Sequence, residues 1–150
     1  MIRMLKVAKD SATDNRTAAL NQLHAIVVTA PAALRERLQR LKGKELVECC
    51  SGLRSGEVST PLAAAKMTLR TLARRIQQLD QELKETVAQL DRLTMQHCPE
   101  LRKTYGIGVD ISATLVVAVV GYQQWLKSEA LFAALCGVNP LPAATVQGAG

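Results

Sequence analysis

The sequence predicts an all-α fold: an elongated helical module built on a long coiled-coil helix, with a helix-hairpin-helix-like C-terminal part. Three features carry this expectation. Apolar residues recur at alternating spacings of three and four from Leu62 to Leu93, the period of a coiled-coil seam. Glycine and proline fall between the long periodic segments rather than inside them. The aromatic residues Tyr105, Tyr122, Trp125 and Phe132 all lie in the last third. Everything before them packs through aliphatic side chains, which suits helices meeting at close range.

Residues 3–28 read as one helix, with Leu5, Ala8, Ala12, Ala19, Leu23 and Ile26 spaced near the helical period. Pro31 ends it and opens a short basic helix reaching Leu41. Gly43 breaks that helix, residues 45–53 form a third, and 51–59, with Gly52 and Gly56, read as a loop. Thr60-Pro61 is a helix start, a capping hydroxyl followed by proline at the first helical position. The seam that follows is Leu62, Ala65, Leu69, Leu72, Ile76, Leu79, Leu83, Thr86, Leu90 and Leu93, with Thr86 the polar intruder. A helix over 61–97 runs about 55 Å, too long to hide its seam in a small globule. The cover is either helix 3–28 folded back or a second chain. Self-association is expected through Leu69, Leu72, Ile76, Leu79, Leu83, Leu90 and Leu93.

Pro99 stops the long helix, and Glu100–Lys103 form a short one. Asp110 is placed to cap a helix over Ile111–Val120 that Gly121 ends. The β-branched residues of that run also suit a buried strand, and the flanking hairpin motif decides for helix. Ser128 caps a last helix to Cys136, and 144–150 is expected to be a disordered tail.

The net charge of +6 is unevenly spread: residues 1–75 hold 14 Lys/Arg against 6 Asp/Glu, residues 76–150 hold 5 against 7. A basic first half points to a polyanion, nucleic acid before membrane, and its alternative is a solvated helix face. The most apolar run, Ile111–Val120, is too short to span a bilayer, and no apolar stretch of a signal peptide follows Met1, so a cytoplasmic location is expected. Cys49, Cys50, Cys98 and Cys136 lack zinc-ligand spacing and read as buried reduced thiols. Asp10 and Asp14 share a helix face without a third carboxylate, while Asp80, Glu82, Glu85 and Asp91 belong to the exposed side of a coiled coil. His97 continues the heptad after Leu93 and reads as a seam residue. Neither a catalytic residue nor a metal ligand is expected.

One motif points to a ligand. Leu101, Tyr105-Gly106-Ile107-Gly108 and Ser112-Ala113 are spaced nearly as in a helix-hairpin-helix. Glycines there let backbone N–H groups approach a phosphate, and the next helix N-terminus adds partial positive charge. Arg102 and Lys103 stand just before the turn. The candidate DNA-binding residues are therefore Arg102, Lys103, Gly106 and Gly108, making contacts that position DNA without reading its sequence. The alternative is a plain helical corner that needs glycine for geometry.

Several segments together resemble a known family: Arg16-Thr17 with Asn21-Gln22-Leu23, the leucine heptad, Gly106-Ile107-Gly108, and the run from Ser128 to Pro140 ending in Leu141-Pro142-Ala143. In this order they are similar to insertion-sequence transposases of the DEDD type. The resemblance implies the coiled coil and the start of the C-terminal transposase domain. Family members also carry a RuvC-like domain whose four acidic residues bind magnesium, and a serine nucleophile in a Ser-Ser-Gly-Lys-Thr-like run. Here Ala144-Thr145-Val146-Gln147-Gly148 stands where that run is expected, and Gly121-Tyr122-Gln123-Gln124-Trp125 departs from the acidic stretch of the family.

The resulting expectation is a truncated, inactive DNA transposase that binds nucleic acid and oligomerises, without a cofactor because the magnesium ligands are missing. Its expected partners are DNA, a guide RNA and a second copy, with no membrane. The segments are 1–58, a basic helical part; 59–98, the coiled-coil helix; 99–143, the start of the C-terminal transposase domain; and 144–150, the tail. Two other readings are a structural coiled-coil adaptor without nucleic-acid contact, and a recombinase active only when a full-length copy complements it.

Overall fold

A computed structural model describes residues 1–121, all-α, with no strand among them. Its helices in chain order are α1 (Ile2–Thr29), α2 (Ala32–Leu38), α3 (Gly43–Ser51), α4 (Pro61–His97), α5 (Pro99–Lys103) and α6 (Val109–Gly121). The helix expected over Ser128–Cys136, Thr145 and the tail 144–150 lie outside the described residues.

α4 begins as its sequence dictates. Thr60 Oγ1 accepts the N–H of Ala63 at 3.2 Å, and Pro61 takes the position where a missing N–H does no harm. The smaller helices depart from expectation by a few residues. α2 ends at Leu38 rather than Leu41, and α3 starts at Gly43 rather than residue 45. Gly43 has φ +53°, so the break in the chain and the start of α3 coincide in one residue.

The long seam is covered within the chain by α1, which runs antiparallel to α4. Leu23 and Val27, late in α1, share a buried cluster with Leu69, Ala73 and Ile76, early in α4. Ile2, at the other end of α1, shares a second cluster with Leu90 and with Ala113 of α6. Of the two covers the sequence allows, the folded-back helix is the one that reaches these seam residues. α1 can do this because its own face has the same three-four spacing: Ile2, Leu5, Lys9, Ala12, Arg16, Ala19, Leu23 and Ile26. Lys9 and Arg16 sit in that stripe as half-buried members, their alkyl stems on the apolar surface and their charged ends at its edge. Arg16 reaches Asp80 across the pair.

α2 and α3 close one end of this pair. Leu34, Leu38, Leu46, Val47, Cys50 and Leu53 join the α1–α4 cluster, so residues 1–58 and the first part of α4 share one core. Leu23, Leu38 and Ile76 are fully buried, each contributing about 1.5–3 kcal/mol of apolar transfer.

The buried line on α4 is Leu69, Ala73, Ile76, then Leu90 and Thr94, not the whole heptad. Leu72, Leu79, Leu83 and Leu93 are half-buried, and Leu62 is exposed. Thr94 is tolerated in the core because its hydroxyl donates to the Leu90 carbonyl at 2.8 Å. His97 is exposed and so is not a covered seam residue: it lines a surface cleft with Ile2 and Arg3 at the start of α1.

Candidate nucleic-acid interface

The hairpin between α5 and α6 brings the four candidate DNA-binding residues together, with unequal access. Gly106 has φ +84°, a left-handed conformation that favours glycine, whereas Gly108 does not. Both are exposed, and Tyr105 between them and Lys103 is fully exposed. Lys103 lies on the surface and pairs with Glu100 at 2.8 Å. Arg102 turns inward. Its Nη2 donates to Asp91 of α4, its Nη1 donates to the Ile107 carbonyl at 3.3 Å, and its Nε is buried without a partner. That guanidinium ties the hairpin to α4.

Asp110 does not cap α6. The helix opens at Val109, two residues before the expected start at Ile111, which puts Asp110 in the first turn. Its carboxylate accepts from Lys9 at 2.7 Å and from Lys6 at 3.2 Å. The Lys9 bond, with Lys6 and the lysine charges beside it, holds the Asp110 carboxyl below its ordinary value. In return Asp110, aided by Asp10, raises the Lys9 ammonium above its ordinary value. An anion approaching the N-terminus of α6 therefore meets a carboxylate already neutralised by two lysines. What the hairpin offers a phosphate is Lys103 and the backbone around Gly106 and Gly108.

A larger basic surface lies at the other end of α4, which sequence reasoning assigned to no particular residues. Residues 30–78 contain ten cations (Arg35, Arg37, Arg40, Lys42, Lys44, Arg54, Lys66, Arg70, Arg74 and Arg75) against four carboxylates (Glu36, Glu45, Glu48 and Glu57). Among the described residues, the ion pair found within this stretch is Lys44 with Glu48 at 3.5 Å. The remaining pairs gather on α1, the second half of α4, α5 and α6. Arg70 and Arg74, one helical turn apart, line a cleft with Ser55, Gly56 and Glu57 of the α3–α4 loop. The charge imbalance of the first half was the available signal; the loop that faces Arg70 was not.

The carboxylates do not converge. Asp10, Asp80, Asp91 and Asp110 are each engaged by a cation of the chain. No group of three His, Cys, Asp or Glu side chains gathers at one point among the described residues. Cys50 is buried, and desolvation with the neighbouring Cys49 pushes its thiol up to about 11, so it stays protonated and unreactive at neutral pH. No helix among the described residues is long and apolar enough to cross a membrane. No protein-family model, curated protein or solved structure matches the chain.

Proposed function

We propose that this chain is a catalytically inactive relative of DEDD-type transposases that binds nucleic acid through its phosphates and acts in DNA transposition by contact rather than by chemistry. The observation that carries the reading is the gathering of unpaired cations at the α2–α3–α4 end, while the cations elsewhere are largely spent on internal carboxylates. A surface of this kind raises the local concentration of a polyanion and draws affinity from counterion release. Among the described residues the aromatic side chain is Tyr105, far from that end, so the described residues give bases no stacking platform there. Phosphate contacts alone give binding that is weak and indifferent to sequence.

The scattered carboxylates support the inactive half of the proposal. Metal-assisted phosphoryl transfer needs several acidic ligands on one ion, and here each aspartate in an ion pair already serves to hold two helices or two turns together. The test combines two measurements on the purified chain. Retention of unrelated DNA duplexes is expected with a dissociation constant of about 10⁻⁴ to 10⁻⁶ M at physiological salt. Incubation with magnesium and a supercoiled plasmid carrying transposon ends is expected to leave the plasmid intact. A covalent protein–DNA adduct would replace this reading with a working recombinase. Absence of any retention at low salt would favour the structural adaptor.

A further inference from the structure

We infer that the cleft between α4 and the α3–α4 loop is the principal phosphate-binding site, with Arg70 and Arg74 on neighbouring phosphates of a nucleic-acid duplex. The inference rests on the nucleic-acid reading above and assigns it a place. Arg70 and Arg74 project from one face of α4, separated by one turn, about 6 Å along the axis. Neither lies within ion-pair distance of a carboxylate among the described residues. The opposite wall is backbone-rich: a side chain added at Gly56 would meet nothing within 4 Å, so a bulky phosphate has room to approach the loop. That wall is held in place, because Leu53 at the start of the loop is buried in the main core.

Two features select a duplex backbone. No aromatic residue of the described chain lies at this end to stack an unpaired base. The cations also extend past the cleft, with Arg54 in the loop and Arg75 on α4 both exposed, which suits a ligand longer than one phosphate group. Glu57 is the one carboxylate in the cleft, and it sets the sign of a control. The hairpin lies roughly 35 Å away along α4, far enough for substitutions at the two places to act independently.

The experiment measures retention of a DNA duplex, an RNA duplex and a single strand of equal length across a salt series, with circular dichroism to confirm folding. R70Q/R74Q is expected to reduce the slope of log K against log salt by about 2, one phosphate contact per arginine. Lys103→Gln is expected to reduce it by no more than about 1. Glu57→Gln should tighten binding by about two- to fivefold, the effect of removing one exposed like charge from the ligand's path. If the double variant does not fold, Arg74→Gln alone, at an exposed position, should still remove about one unit of slope. An unchanged slope in folded R70Q/R74Q, with duplex still retained, overturns the cleft assignment and leaves the nucleic-acid reading intact. Tighter binding of the single strand, or equal retention on vesicles of anionic phospholipid, overturns the choice of a duplex. No retention by the wild type removes both readings at once.

Discussion

Gly106 and Gly108 look alike as letters and differ as conformations. With φ at +84°, Gly106 bears a backbone that an L side chain rarely adopts, although a methyl group there would touch nothing. Gly106→Ala is therefore expected to destabilise by about 1–2 kcal/mol from backbone strain alone. Gly108 has neither positive φ nor a neighbour within 4 Å, so Gly108→Ala should be neutral or slightly stabilising in thermal melts. Equal losses at both positions would mean that the hairpin closes differently.

Asp110 adds a pH dependence. Its folded pKa is depressed, so its contribution is present above the unfolded value near 3.9 and is lost as pH falls through the folded value. The raised Lys9 acts at the other extreme: its contribution is complete below its unfolded value and is lost as pH rises through the folded one. Asp110→Asn should thus melt below wild type at neutral pH, with the gap closing under strongly acidic conditions. A gap that stays constant with pH would show that the Lys6–Lys9–Asp110 group adds nothing to stability.

At the level of single helices, α4 separates two kinds of seam residue. Ile76 is fully buried by α1 and the α2–α3 end. Placing a charge there strands it in the core, and Ile76→Asp is expected to lower stability by about 4 kcal/mol or more, seen as loss of cooperative unfolding. Leu83 is half-buried, between the two clusters, and Val87 beside it is exposed. If a second copy docks on α4, this stretch is where its apolar surface remains available. Leu83→Asp should then reduce the light-scattering mass while the circular dichroism is kept. Retention of the dimer in folded Leu83→Asp would place the contact elsewhere. α6 offers a converse case: the Ser112 hydroxyl is fully buried without a partner, so Ser112→Ala should stabilise by about 1 kcal/mol.

For the molecule as a whole, α1 and α4 are the elements common to both clusters. Without residues 1–30, Leu69, Ile76 and Leu90 lose their cover on one side. The shortened chain is expected either to self-associate or to lose its cooperative melt, since a lone helix with an apolar stripe has no stable monomeric form in water. A cooperative, monomeric melt would show that α2, α3 and α6 suffice to hold α4. The whole also shows a division of charge. Internal ion pairs gather where α1 meets the second half of α4 and α6, and unpaired cations gather at the end that α2 and α3 close.

Local periodicity was enough to read the helices. Their hydrogen bonds close within each segment, and the Thr60-Pro61 start, the Pro99 stop and the heptad from Leu69 to Leu93 are all written in neighbouring residues. The basic first half was equally legible, because charge is a sum over residues and needs no geometry. The cover of the seam was not: a heptad states that a partner is needed but is indifferent to whether that partner is α1 or another chain. The fate of Arg102 and Asp110 was not legible either, since Asp91 and the lysines of α1 reach them only once helices distant in sequence are brought side by side. The Arg70–Arg74 cleft depended in the same way on where Leu53 anchors the loop. Short-range pattern sets the secondary structure, whereas the burial and pairing of a long polar side chain depend on what the fold places within its reach.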